Sequence, residues 1–236
     1  MATYVISDIH GEYKQFMILL EKIHFTPKDK LYILGDVLDR GPNPVKVVLE
    51  MMKHPNIIPI AGNHEVMAIP CLRFILENTS TIECVRDIDE KIAKQLIIWQ
   101  KNGSVTTTDE FHKLEKATKT RIVEYIENFA LYEEVKVNDR DYILVHVGLA
   151  DFHPSRPLYD YSLNELVWER IDYEYKYFKD KYIITGHTPT QNIAGNPRPG
   201  YIYTANNHIA IDCGSCFGGR LAAMCLDTGD EFYSKD

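Results

Sequence analysis

The chain has no long apolar run. Nothing in it approaches the roughly 18–20 residues that a membrane span requires, so no membrane partner is expected. It also lacks an excess of basic charge: 26 Lys and Arg stand against 34 Asp and Glu, a formal net charge of -8. That balance argues against a nucleic acid held on a general basic surface, while leaving room for a local phosphate pocket. Five cysteines, an odd number scattered over 236 residues, do not make a disulfide framework. Cys213 and Cys216 form a lone CxxC without a second pair for zinc or a helix start for redox chemistry, and read as small buried residues beside a tight turn. The first residues run straight into a strand-like segment with no basic region or cleavage site, which predicts a cytoplasmic protein. Repeats, low-complexity tracts and linkers are missing, so residues 1–236 are expected to form a single domain. The glycines between Gly214 and Gly219 do not follow a first strand, which excludes a Rossmann dinucleotide site.

What the chain does have is a series of short β-branched and aromatic runs, each ending in a polar cluster. They are Tyr4–Ile6, Leu31–Leu34, Ile57–Ile60, Tyr142–Val145, Tyr182–Ile184 and Ile209–Ile211. A late pair, Leu221–Leu226 and Glu231–Tyr233, reads as a hairpin. Helix-spaced apolar residues lie between the early runs, at Phe16, Leu19, Leu20 and Ile23 and again at Val45, Val48 and Met52. This alternation predicts an α/β fold with parallel strands. Residues from about 66 to 133 carry little strand signal and read as a helical insertion packed on the core.

The polar clusters sit where the strands end, and ligand sites in open α/β sheets form beyond the carboxyl ends of strands. Asp8, His10, Asp36, Asn63, His64, His146 and His187 therefore have reason to converge. Mixed carboxylate, amide and imidazole donors suit manganese, iron or zinc better than calcium or magnesium. The set is too large for one ion and natural for two that share a carboxylate, an arrangement that clamps both oxygens of an in-line phosphoryl displacement.

Ser7-Asp8-Ile9-His10-Gly11, Gly35-Asp36-Val37-Leu38-Asp39-Arg40-Gly41, Gly62-Asn63-His64-Glu65, His146-Val147-Gly148 and Gly186-His187-Thr188-Pro189 resemble the motifs of the PPP-family metallophosphatases, a calcineurin-like group. The nearest resemblance is to bacterial and phage-lambda-type serine/threonine phosphatases. It implies two mixed sheets sandwiched between helices and two divalent transition-metal ions, manganese first, with iron or zinc as substitutes. It also implies a first metal on Asp8, His10 and Asp36, and a second on Asp36, Asn63, His146 and His187. His64 would be the general acid, held by Asp39, and Arg40 and Arg170 would bind phosphate beside Asn63. A metal-bound hydroxide would attack in line. Leu38, Val147 and Ser7 depart from the usual residues without removing a donor.

The implied substrate is a phosphorylated protein or small phosphoester, with hydrolysis of symmetrical dinucleoside tetraphosphates as the alternative. Glu65 and the intact Asp39-Arg40-Gly41 incline the reading to protein phosphatases; the 151–161 stretch, expected to border the site, adds acidic residues that would repel a tetraphosphate and aromatics that would pack on a peptide or equally stack on adenine. A catalytically silent metal-binding scaffold would show a missing donor or acid, and none is missing. Outside the motifs, His24, His54, His112 and His153 read as solvated, His208 as a turn residue, and Tyr173, Tyr175 and Tyr177 as packing. The bland alternative for Arg170 is an ion pair with Glu169 or Glu174 on an exposed helix.

Overall fold

A computed structural model describes residues 1–78 and 89–235. The chain builds two five-stranded mixed sheets. In the first, β1 (Thr3–Ile6), β2 (Lys30–Leu34) and β3 (Ile57–Ile60) are parallel, and β9 (Ala222–Cys225) and β10 (Glu231–Tyr233) join antiparallel beside β1. In the second, β5 (Arg140–Val145), β6 (Lys181–Thr185) and β8 (His208–Ala210) are parallel, flanked by antiparallel β4 (Tyr132–Val137) and β7 (Tyr203–Ala205).

The strand pleat sorts the apolar residues into three layers. Val5, Tyr32, Leu34 and Ile60 point to one side of the first sheet and meet Tyr142, Leu144, Ile184 and Ile209 of the second. Their neighbours Tyr4, Ile6, Leu31 and Ile33 face helices α1 (Tyr13–Lys22) and α2 (Pro44–Met51) and the helical stretch that follows. Ile143, Val145 and Ile183 pack outward on the short α7 (Leu163–Val167). Strands buried on both faces explain the unbroken apolar runs.

The expected insertion is helical where described: α3 (Asn63–Glu77), α4 (Glu90–Lys101), α5 (Val105–His112) and α6 (Lys116–Glu127). Residues 79–88 of it, with Cys84, lie outside the described residues. Its start needs correction, because α3 begins at Asn63 and carries a site motif itself. Trp99, Phe111, Ile122 and Ile126 join the cluster under the first sheet.

Two edge strands, β4 and β7, escaped the periodicity reading. Both are short or charged, as edges that resist further pairing are. Their turns were nevertheless written in the sequence. Asn138-Asp139 and Asn206-Asn207 all take positive φ (48°, 63°, 53° and 60°) and join β4 to β5 and β7 to β8. His208 is consequently not a turn residue: it opens β8 at 1% exposure, bonded to the Thr185 hydroxyl at 2.8 Å and stacked on Tyr173. Burial pushes its imidazole down to about 3. The cysteine reading holds for buried Cys213, whereas Cys216 is only half-buried. No helix among the described residues is long and apolar enough to cross a membrane.

Candidate metal centre

Each donor motif leaves the carboxyl end of a parallel strand, and most leave it in a left-handed backbone. Asp8, His10, Asp36, Asp39, Arg40 and His187 have φ between 43° and 70°. Such conformations cost non-glycine residues about 1–3 kcal/mol each and persist only where the surroundings enforce them. The β2–α2 loop shows how. Glu65 is fully buried in the first turn of α3, and its carboxylate accepts four backbone N–H groups, from Gly62, Asp36, Val37 and Leu38, at 2.8–3.2 Å. Burial and nearby Asp36 push the Glu65 carboxyl up to about 7, against the pull of those amides.

Asp36 stands at the centre. Its Oδ1 lies 3.4 Å from His146 Nε2 and accepts the His64 amide at 3.1 Å, and its Oδ2 lies 3.4 Å from His10 Nε2. Two groups of metal-ligating atoms share it, one with His10 and His64, the other with His146 and His187. His146 donates its Nδ1–H to Leu34 O at 2.6 Å, so Nε2 offers only a lone pair. That lone pair faces Asn63 Oδ1 at 3.1 Å and His187 Nδ1 at 3.2 Å, with Asn63 Oδ1 and His187 Nδ1 3.0 Å apart. With the His187 proton on Nε2, three lone pairs lie within 3.2 Å of one another and suit a cation between them.

His10 repeats the pattern, giving Nδ1–H to Leu38 O at 2.9 Å. Its Nε2 accepts from Arg40 Nη1 at 2.7 Å, and this bond and an ion on His10 exclude one another. Burial holds His10 well below the usual imidazole range and His146 and His187 down to about 4, so all three are neutral donors near pH 7. The set fits two ions sharing Asp36. Asp8 is buried and in neither group; its Oδ2 accepts from the Ser7 hydroxyl and from the His187 amide at 2.9 Å, and neither bond uses Oδ1.

His64 and Asp39 are both 0% exposed, and His64 donates Nδ1–H to Asp39 Oδ2 at 2.6 Å. Burial opposes charge on this imidazole, but Asp36 and the Asp39 bond outweigh it and raise the pKa. His64 Nε2 has no hydrogen-bond partner among the described residues and lies 3.9 Å from Asp36 Oδ2.

A cleft of about 390 Å³ opens over the centre, lined by Asp36, Arg40, Arg170, His187, Asp212 and Phe217 among others. Arg170 follows α7 in irregular chain and donates to Thr188 at 3.3 Å, so it is neither helical nor paired with Glu169, whose carboxylate takes Asn164. Asp151 and Phe152 of the 151–161 stretch line a neighbouring cleft that shares Arg170 with this one, and Tyr161 is buried; none of the stretch lines the cleft over the centre. Tyr177 is buried as packing while Tyr175 is half exposed, and His54 is half-buried against Glu50. Sequence reasoning missed Asp212 as a site residue. It is buried two positions past β8, its carboxyl pushed up to about 7 by burial and by Asp36, and the strand-end rule that found Asp8 would have found it. Phe217, 65% exposed with the Arg40 guanidinium 5.3 Å from its ring centroid, had no sequence signal.

Gly62 has an ordinary extended backbone (φ -98°, ψ 179°), so space alone demands glycine there. A Cβ would sit 2.3 Å from Asp36 Oδ1 and 2.6 Å from Asp36 N. Gly62→Ala is expected to destabilise the metal-free protein by about 1–3 kcal/mol, read as a lower urea midpoint; an unchanged midpoint would contradict this crowding.

The sequence pattern of the calcineurin-like phosphoesterases matches residues 1–191. A symmetrical bis(5'-nucleosyl)-tetraphosphatase of Buchnera aphidicola is 32% identical over 173 residues, 70% of this chain and 62% of that protein. The chain thus spans about three-fifths of the length of that relative. The asymmetrical bis(5'-nucleosyl)-tetraphosphatase PrpE of Anoxybacillus flavithermus is 26% identical, covering 93% of this chain and 88% of its own. A serine/threonine phosphatase structure from Saccharomyces cerevisiae superposes with TM-score 0.61 at 14% identity, over 97% of this chain and 73% of its own, a likeness of fold alone.

Proposed function

Because the chain belongs to the calcineurin-like phosphoesterase family, whose members work with a pair of metal ions, we propose that it hydrolyses dinucleoside tetraphosphates. Asp8, His10 and Asp36 would hold one ion, and Asp36, Asn63, His146 and His187 the other, with manganese the first choice. When bound, the ions offset phosphate charge and make water acidic enough to ionise near neutral pH. Arg40 and Arg170 grip phosphate oxygens, which guanidinium forks suit. His64 protonates the departing oxygen, and Asp39 keeps its imidazole oriented and charged.

The observation that carries the choice of substrate is the cleft itself: two arginines line it together with Asp36, and an exposed aromatic ring, Phe217, stands in the same wall. A polyphosphate needs several cationic contacts, and a nucleobase needs a π face. The tetraphosphatase relatives support the same reading. The inclination to a protein phosphatase rested on the intact Asp39-Arg40-Gly41, which this cleft uses for either substrate, on Glu65 and on the 151–161 aromatics. Glu65 is spent on four backbone amides, and the aromatics lie outside this cleft, so neither speaks for a peptide.

The test compares kcat/KM for diadenosine tetraphosphate and a phosphothreonine peptide at equal manganese and ionic strength. The dinucleotide is expected to be better by tenfold or more, about 1.4 kcal/mol of transition-state preference. A peptide preferred by that margin would return the reading to the protein phosphatases. Chromatography of the products, two ADP or ATP with AMP, identifies the bond cut.

A further inference from the structure

The helical insertion does more than cover the first sheet. Trp99, in the last turn of α4, donates its indole N–H to Asp39 Oδ2 at 2.8 Å. Thr107, on α5, donates its hydroxyl to Asp39 Oδ1 at 2.6 Å and accepts the Asp39 amide at 3.0 Å. Between them, Gly103 O accepts the Arg40 amide at 3.0 Å. Three residues past Thr107, Glu110 of α5 accepts the Val45 amide at 2.8 Å, fixing the start of α2. Trp99, Thr107 and Asp39 are all 0% exposed. Asp39 and Arg40 are consecutive non-glycine residues at φ 70° and 64°, a pairing the loop would not keep unaided.

We infer that the α4–α5 turn is a clamp in which Trp99 and Thr107 act as positioning residues, locking the Asp39 carboxylate so that it presents His64 to the reacting bond. The inference rests on His64 as proton donor, not on which phosphoester is the natural substrate. With three donors on two oxygens, the carboxylate has one orientation open to it, and the imidazole bonded to it has one plane. If Thr107 or Trp99 is lost, Asp39 stays buried and free to turn, and His64 turns with it. The metal ligands are left alone, so the deficit falls on proton delivery.

The experiment uses Thr107→Val, Thr107→Ser and Trp99→Phe in the full chain loaded with manganese. Ethyl phosphate, whose alkoxide needs a proton, is compared with p-nitrophenyl phosphate, whose leaving group does not. Thr107→Val and Trp99→Phe are expected to lose about 10–100-fold in kcat on ethyl phosphate, the scale of a lost supporting contact, and only a few-fold on p-nitrophenyl phosphate. KM and metal content should hold, and Thr107→Ser should restore the rate. In the metal-free protein, the low-field proton resonance of the His64–Asp39 hydrogen bond should broaden in Thr107→Val and return in Thr107→Ser. Equal losses on both esters, or an unchanged resonance in Thr107→Val, overturn the clamp. The resonance decides the matter even if neither monoester is turned over, so a failed assignment of activity is told apart from a failed clamp.

Discussion

His64→Asn is expected to slow hydrolysis of an alkyl phosphate by on the order of 10²–10⁴ while both metals stay bound. The geometry makes this a real contest between two roles. His64 Nε2 is buried, unpartnered among the described residues and 3.9 Å from Asp36 Oδ2, and its ring meets that of His10 edge-on at 4.6 Å between centroids. That is near enough for the imidazole to be grouped with His10 and Asp36 as a ligand. What separates it from the other histidines is its second nitrogen. His10 and His146 give Nδ1–H to backbone carbonyls, which leaves them neutral donors, whereas His64 gives Nδ1–H to the Asp39 carboxylate. A carboxylate partner favours the imidazolium, and an imidazolium delivers a proton but cannot bind a cation. The loss should therefore be smaller on p-nitrophenyl phosphate and on tetraphosphates, whose leaving groups are weak bases. Elemental analysis gives the second readout: if the variant retains one ion fewer than the parent, His64 is a ligand and the acid must be sought elsewhere.

Asp36→Asn should empty both metal positions together. One carboxylate oxygen faces His146 and the other faces His10, so a single side chain serves the two groups. Loss of an outer-shell partner alone costs about 10–100-fold in metal affinity, and a shared inner ligand should cost more than that at each site. Calorimetric titration with manganese, following dialysis against chelator, is expected to show both binding steps weakened beyond this range. Retention of one site at parental affinity would refute the bridging role. The metal-free variant should be no less stable than the metal-free parent, because Asp36 crowds other buried carboxyls. It helps push Asp8 well above the usual carboxylate range and Glu65 and Asp212 to about 7, behind burial in each case. Thermal unfolding of the two metal-free proteins checks this and guards against mistaking misfolding for lost ligation.

The sequence by itself determined the strands other than the edges β4 and β7, and the clustering of donors at their ends. The period-2 and period-3.6 patterns are local, and so is the rule that places ligands past parallel strands. Asp36, Asn63, His146 and His187 were legible because each stands within three residues of such an end. Asp212 was legible on the same ground and was passed over, and the Asn206-Asn207 turn that sets His208 inside β8 was read one residue too far. Only the tertiary structure decided the rest. Trp99 and Thr107 lie 60 and 68 residues from the carboxylate they hold, in a stretch that read only as a helical insertion packed on the core. Glu65 looked like a mark of substrate class until its four amide partners were in view. Phe217 reaches the cleft because two left-handed glycines, Gly214 and Gly218, turn the chain around it. A hydrogen bond or a cleft wall needs two segments at contact distance, and hydrophobic pattern fixes which side of an element is buried but not which distant side chain meets it there.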